Sequence, residues 1–147
     1  MTGNQPTAVT GMLPDGTPGI SITLEQILSG CGVPFVKVID PYDVSGMVNL
    51  LKEAEQFTRS AQGGIAVIIA RHPCLMNRDK FRPAERQIVW IAEECTGCQY
   101  CIKGFECPAL VFDSNSKKVS IDGSLCTGCA VCIHVCPVNA IKTKGIV

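Results

Sequence analysis

The chain has 147 residues, 46% hydrophobic and 18% charged, with thirteen basic side chains balanced by thirteen acidic ones. That composition is globular and excludes an intrinsically disordered chain, and the length suits one domain or two small ones. Residues 1–10 have no basic start and no apolar core, and the longest aliphatic run, 65–70, is far too short to span a bilayer. A cytoplasmic protein without membrane attachment is expected.

Residues 1–20 contain seven Gly or Pro and no apolar periodicity, which reads as a long loop. Thr23 and Gln26 then have the spacing of a capping box. Leu24, Ile27 and Leu28 form an apolar stripe, and Gly30 or Gly32 ends the helix. Cys31 is expected to pack as a small hydrophobe. Phe35–Ile39 reads as a strand, broken by Asp40-Pro41. Asp43 or Ser45 caps a second helix running to about Thr58, with Val44, Met47, Leu50, Leu51 and Ala54 on one face. After Gly63-Gly64, Ile65–Ala70 is a continuous aliphatic run of the kind buried on both faces of a parallel sheet. Strand, helix and strand make a βαβ unit. Two strands and two helices cannot cover both faces of such a pair, so residues 1–70 are expected to be the end of a larger domain. Another chain, or sequence ahead of Met1, would supply the remainder.

Charge is unevenly placed. Residues 1–70 carry three basic and six acidic groups, whereas 71–86 carry five basic and two acidic. The basic stretch has no aromatic residue but Phe81, which favours a solvated linker over a nucleic-acid-binding patch. His72 and Cys74 lie close in sequence, but a lone pair does not make a metal site, and no role is assigned to either. Beyond the linker, Ile88–Ile91 reads as a strand and residues 109–122 as a β-hairpin around a polar turn. Ala140–Thr143 reads as a last strand pairing with the first. Short helices are expected between Cys101 and Cys107 and after Cys132.

Eight of the ten cysteines fall within the 43 residues from Cys95 to Pro137, in two blocks that repeat each other. The first is C-T-G-C-Q-Y-C-I-K-G-F-E-C-P and the second C-T-G-C-A-V-C-I-H-V-C-P. The second has the spacing that wraps a 4Fe-4S cluster in bacterial ferredoxins; the first has five residues rather than three before its fourth cysteine. In paired blocks the fourth cysteine ligates the other block's cluster. Cys95, Cys98, Cys101 and Cys136 are thereby assigned to one cluster, and Cys126, Cys129, Cys132 and Cys107 to a second. Gly97 and Gly128 sit where a residue without Cβ can take positive φ and bring N–H groups toward the sulfurs. Pro108 and Pro137 turn the chain away. Structural zinc uses two CxxC pairs for one tetrahedral site, a poorer match to two triplets each followed by C-P. A three-iron cluster at the irregular block stays open. Apolar residues from Ile91 to Ile141 offer little core for a module of 60 residues, so the clusters are expected to be most of it, and the iron-free module to be unfolded.

A wider pattern adds to this. M-T-G-N-Q-P at Met1–Pro6, I-D-P-Y-D at Ile39–Asp43, V-I-I-A-R-H-P-C at Val67–Cys74 and the two cysteine blocks occur in that order. Together they resemble the C-terminal end of the large subunit of indolepyruvate:ferredoxin oxidoreductases, in the 2-oxoacid:ferredoxin oxidoreductase superfamily. The resemblance implies a fold: an α/β remnant of a thiamine-diphosphate-binding-type domain over 1–74, a linker over 75–87, and an α+β dicluster ferredoxin-like domain over 88–147. It also implies a function, electron transfer through two 4Fe-4S clusters from thiamine-dependent oxidation of an aryl 2-oxoacid. The implied partners are other subunits of that enzyme and ferredoxin as acceptor. Thr2, Gly3 and Gln5 match a loop near the thiamine diphosphate. The family's G-D-G element for magnesium and diphosphate does not occur here, so these cofactors would need further sequence or a partner chain. An independent ferredoxin-like carrier, an iron-sulfur subunit of another redox complex, and a module merely stapled by clusters are the alternatives.

Overall fold

A computed structural model of the chain describes residues 9–73 and 87–144. The chain divides into two compact units, Met1–Phe81 and Arg82–Val147.

In the N-terminal unit, helix α1 (Leu24–Gly30) begins at the predicted capping box. The Thr23 hydroxyl accepts the Gln26 N–H at 3.2 Å, and Gln26 Oε1 accepts the Thr23 N–H at 2.8 Å. Gly32, at φ 72°, ends it, with the Val33 N–H donating to the Leu28 carbonyl at 3.0 Å. Strand β1 (Phe35–Ile39) pairs in parallel with β2 (Ala66–Ala70), in register from Phe35 with Ala66 to Ile39 with Ala70. Between them runs α2 (Val44–Arg59), capped by Asp43, whose carboxylate accepts the Gly46 N–H at 2.9 Å. Phe57 of α2 stacks on Phe35 at 5.2 Å between centroids. Such a pair contributes about 0.5–1.5 kcal/mol beyond the area it buries.

Two expectations for this unit need correction. Leu51 is exposed although helical spacing puts it on the face of Val44, Met47 and buried Ala54, because no described residue covers it there. Cys31 is exposed, since α1 buries none of its residues and its apolar stripe stays open, Ile27 at 48%. The aliphatic strands, as two strands and two helices imply, are not covered on both faces by the described residues: Ile69 of β2 is buried, but Val38 of β1 is 43% exposed.

The cysteine-rich unit is two antiparallel ribbons. β3 (Ile88–Ile91) pairs with β6 (Ile141–Lys144), and β4 (Leu110–Asp113) with β5 (Lys118–Ile121). The hairpin turn between β4 and β5 is set by Asp113, which accepts the Asn115 N–H at 2.9 Å and the Ser116 hydroxyl at 2.7 Å, and by Lys117 at φ 55°. Helix α3 (Tyr100–Lys103) and a 3-10 turn (Val131–His134) complete the unit. Each begins just before the third cysteine of its block, earlier than the sequence reading put it. Cys101, Leu110, Val119, Cys132 and Ile141 form the core, so two of its five members are cysteines. Val111 and Val138, two of the apolar residues between Ile91 and Ile141, are exposed and add nothing to that core. Val111 alternates with Leu110 and Phe112 and so faces out, while Val138 lies in the turn after Pro137. Among the described residues no helix is long and apolar enough to cross a membrane.

Candidate metal centre

The two cysteine blocks fold alike. Gly97 and Gly128 take φ 68° and 71°, as their positions in the loops require. Two residues on, Gln99 and Ala130 also take positive φ, 60° and 57°. Neither is a residue type that favours this region, which costs such side chains about 1–2 kcal/mol. The strain recurs at the same point of both loops, where it caps the short helix carrying the third cysteine. Gly97 has a second constraint, since a Cβ there would run into the Lys117 carbonyl oxygen.

These turns bring the eight thiols into two quartets. Burial raises the Cys101 thiol above its ordinary value, and the thiolates of Cys136, Cys98 and Cys95 add to the effect. Burial pushes the Cys132 thiol up to about 11, with the charges of Cys129, Cys107 and Cys126 acting in the same direction. Each triplet is thus joined by the other block's fourth cysteine. Cys98, by contrast, is exposed and held below its ordinary value, first by the Tyr100 N–H and then by the Thr96 hydroxyl. The Ala140 N–H donates to Cys136 Sγ at 3.1 Å. Such N–H donors stabilise negative sulfur.

One quartet surrounds a cavity. Cys107, Cys126, Cys129 and Cys132 line about 130 Å³, closed by apolar neighbours that include Val89, Phe105, Leu110, Ile121 and Leu125. Among the described residues no three His, Cys, Asp or Glu side chains draw together tightly enough to ligate a single ion. Four cysteines about an apolar cavity, with N–H groups aimed at sulfur in the other quartet, are a donor set that fits a 4Fe-4S cluster.

A second grouping, absent from the sequence reading, lies at the carboxyl ends of β1 and β2. Asp40 Oδ2 meets His72 Nδ1 at 2.9 Å, and the His72 ring lies edge-on to Tyr42 at 4.3 Å. Arg71 pairs with Glu25 at 2.8 Å. The parallel register aligning Ile39 with Ala70 is what draws together Asp40 and His72, 32 residues apart. Thr2, Gly3, Gln5, Cys74 and linker residues 75–86 lie outside the described residues.

A family model described as 4Fe-4S binding domain matches residues 119–142, which contain Cys126, Cys129, Cys132 and Cys136. The indolepyruvate oxidoreductase subunit IorA of Archaeoglobus fulgidus is 46% identical over 144 residues, covering 97% of this chain and 22% of the relative. The protein of the same name from Pyrococcus abyssi is 38% identical over 146 residues, covering 97% of this chain and 22% of that relative. The chain thus spans about a fifth of the length of these relatives. The pyruvate synthase subunit PorD of Methanothermobacter marburgensis is 40% identical over 52 residues, covering 35% of this chain and 58% of that protein. No solved structure matches.

Proposed function

We propose that this chain is the C-terminal, electron-transferring part of the large subunit of a thiamine-dependent aryl 2-oxoacid:ferredoxin oxidoreductase of the indolepyruvate type. Cys95, Cys98, Cys101 and Cys136 would hold one 4Fe-4S cluster, and Cys126, Cys129, Cys132 and Cys107 the other. When bound, each cluster supplies a reversible one-electron step. The grouping of each triplet with the other block's fourth cysteine carries the reading, since it gives each cluster four thiolate ligands.

The chain's own residues do the rest. Apolar walls keep water from the sulfurs, and backbone N–H groups offset the negative charge that a cluster carries. The half-covered parallel pair of the N-terminal unit supports membership of a larger assembly, because aliphatic strands of this kind are stable when both faces are packed. Thiamine diphosphate, magnesium and the decarboxylating chemistry belong, in this reading, to polypeptide beyond these 147 residues. Ferredoxin would be the acceptor. The similarity to a pyruvate synthase subunit, confined to 52 residues, favours a second reading in which the cysteine-rich unit serves another redox complex.

Anaerobic purification from native cells tests the choice, with iron, acid-labile sulfide, thiamine diphosphate and the mass of every co-purifying polypeptide measured. About eight iron atoms, bound thiamine diphosphate and larger companion sequence are expected. A solitary chain carrying eight irons and no thiamine diphosphate would make it a carrier instead.

A further inference from the structure

The two blocks differ by two residues in the spacer before the fourth cysteine. In the first block this spacer completes an α turn, with the Gly104 N–H donating to the Tyr100 carbonyl at 2.8 Å and the Glu106 N–H to the Ile102 carbonyl at 3.0 Å. Glu106 then takes φ 55° and reverses the chain toward Cys107. The residue carried inward by the longer turn is Phe105. It packs against the core and forms part of the wall around Cys107, Cys126, Cys129 and Cys132. The second block, with the shorter spacer, closes with a 3-10 turn and Val135.

The two quartets also differ in their access to water. The enclosed one has Ala130 buried and Val131 half-buried between its second and third cysteines. The other has Gln99 and Tyr100 at those positions, with Tyr100 59% exposed, and its Cys98 is exposed. Its Cys136 additionally accepts the Ala140 N–H.

Resting on the cluster reading above, we propose that the two sites are unequal by construction. Phe105 seals the site of Cys107, Cys126, Cys129 and Cys132, so a cluster there accepts its electron at lower potential than one held by Cys95, Cys98, Cys101 and Cys136. The physical reason is the charge added on reduction. A one-electron reductant makes a cluster more negative, and a dry apolar wall stabilises that charge less than water and N–H dipoles do. Phe105 is a positioning residue here, acting through the exclusion of water.

The test is a dithionite titration of the full chain loaded anaerobically with iron and sulfide, followed by EPR. Dithionite supplies one electron to each cluster. Two separate steps are expected, and Cys98→Ser, which places oxygen on one iron of the open site, identifies the upper step by altering its signal. Phe105→Ala should raise the lower step toward the upper one and leave the upper in place, while Phe105→Leu should restore the separation. A single coincident step in the unsubstituted chain, or equal movement of both steps in Phe105→Ala, overturns the proposal while leaving the cluster reading intact. A chain that takes up no iron overturns the cluster reading, and this proposal with it.

Discussion

The two units solve the problem of a small core in opposite ways. Among the described residues the N-terminal unit buries only Phe35, Ala54 and Ile69, and it leaves Leu24, Ile27, Val38 and Ile65 open to solvent. The cysteine-rich unit buries Cys101 and Cys132 among its apolar residues. One unit is built from strands whose composition calls for packing on both faces. The other is built around thiols that inorganic atoms can cross-link. Stability in the first is therefore a matter of what continues the sheet, and in the second of what occupies the quartets.

Removing iron puts the sharpest strain on this contrast. Chelation should unfold the cysteine-rich unit as a whole, because Fe–S bonds replace side-chain packing there, while α2 and its strands keep whatever protection they had. Hydrogen exchange read by peptide mass spectrometry separates the units; a cysteine-rich unit that stays protected without iron would show that its apolar residues suffice. Next in size is Cys107→Ser. It should damage the cluster of Cys126, Cys129 and Cys132 and leave the other more nearly intact, which EPR and an iron count near half the original would show. Selective loss of the Cys95–Cys98–Cys101 cluster would reverse the wiring.

Gly97→Ala tests how firmly the loops are fixed. A Cβ at positive φ facing the Lys117 carbonyl should cost roughly 2–4 kcal/mol in the cysteine-rich unit, well beyond ordinary surface changes. A thermal melt of the iron-loaded chain that matched the unsubstituted one would mean that the loop can shift. The N-terminal unit should respond more mildly to its own local changes. Asp43→Ala removes the N-cap of α2 and should cost about 1 kcal/mol, seen as faster exchange in its first turn. Arg71→Gln breaks a surface ion pair with Glu25, and the smallest shift of the set is expected in a thermal melt.

What could be read ahead of the fold was local. The capping box at Thr23 and Gln26, the cap at Asp43, the strand Phe35–Ile39 and the hairpin around Asp113 each declare themselves within a few residues, because the groups that satisfy one another are neighbours in sequence. The repeat of the cysteine blocks was equally legible. The left-handed Gln99 and Ala130 were not, since nothing in a glutamine or an alanine signals positive φ; only the equivalence of the two loops could have raised the question. The Asp40–His72 contact depends on the register of two strands, which periodicity does not determine. Phe105 looked like any aromatic in a spacer, and its inward turn follows from the left-handed Glu106 beside it. Leu51 failed for a simpler reason, that periodicity says which residues share a helix face but not how far along that face a neighbour covers them.

The parallel ribbon of β1 and β2 also bears on how the protein can be handled. Each strand has one flank with no strand partner among the described residues, and its row of N–H and C=O groups is a template for another chain. With Ile65 and Val38 exposed beside it, overproduction of this chain by itself invites self-association at the concentrations reached in an expression host. Sedimentation over a range of concentrations would measure it.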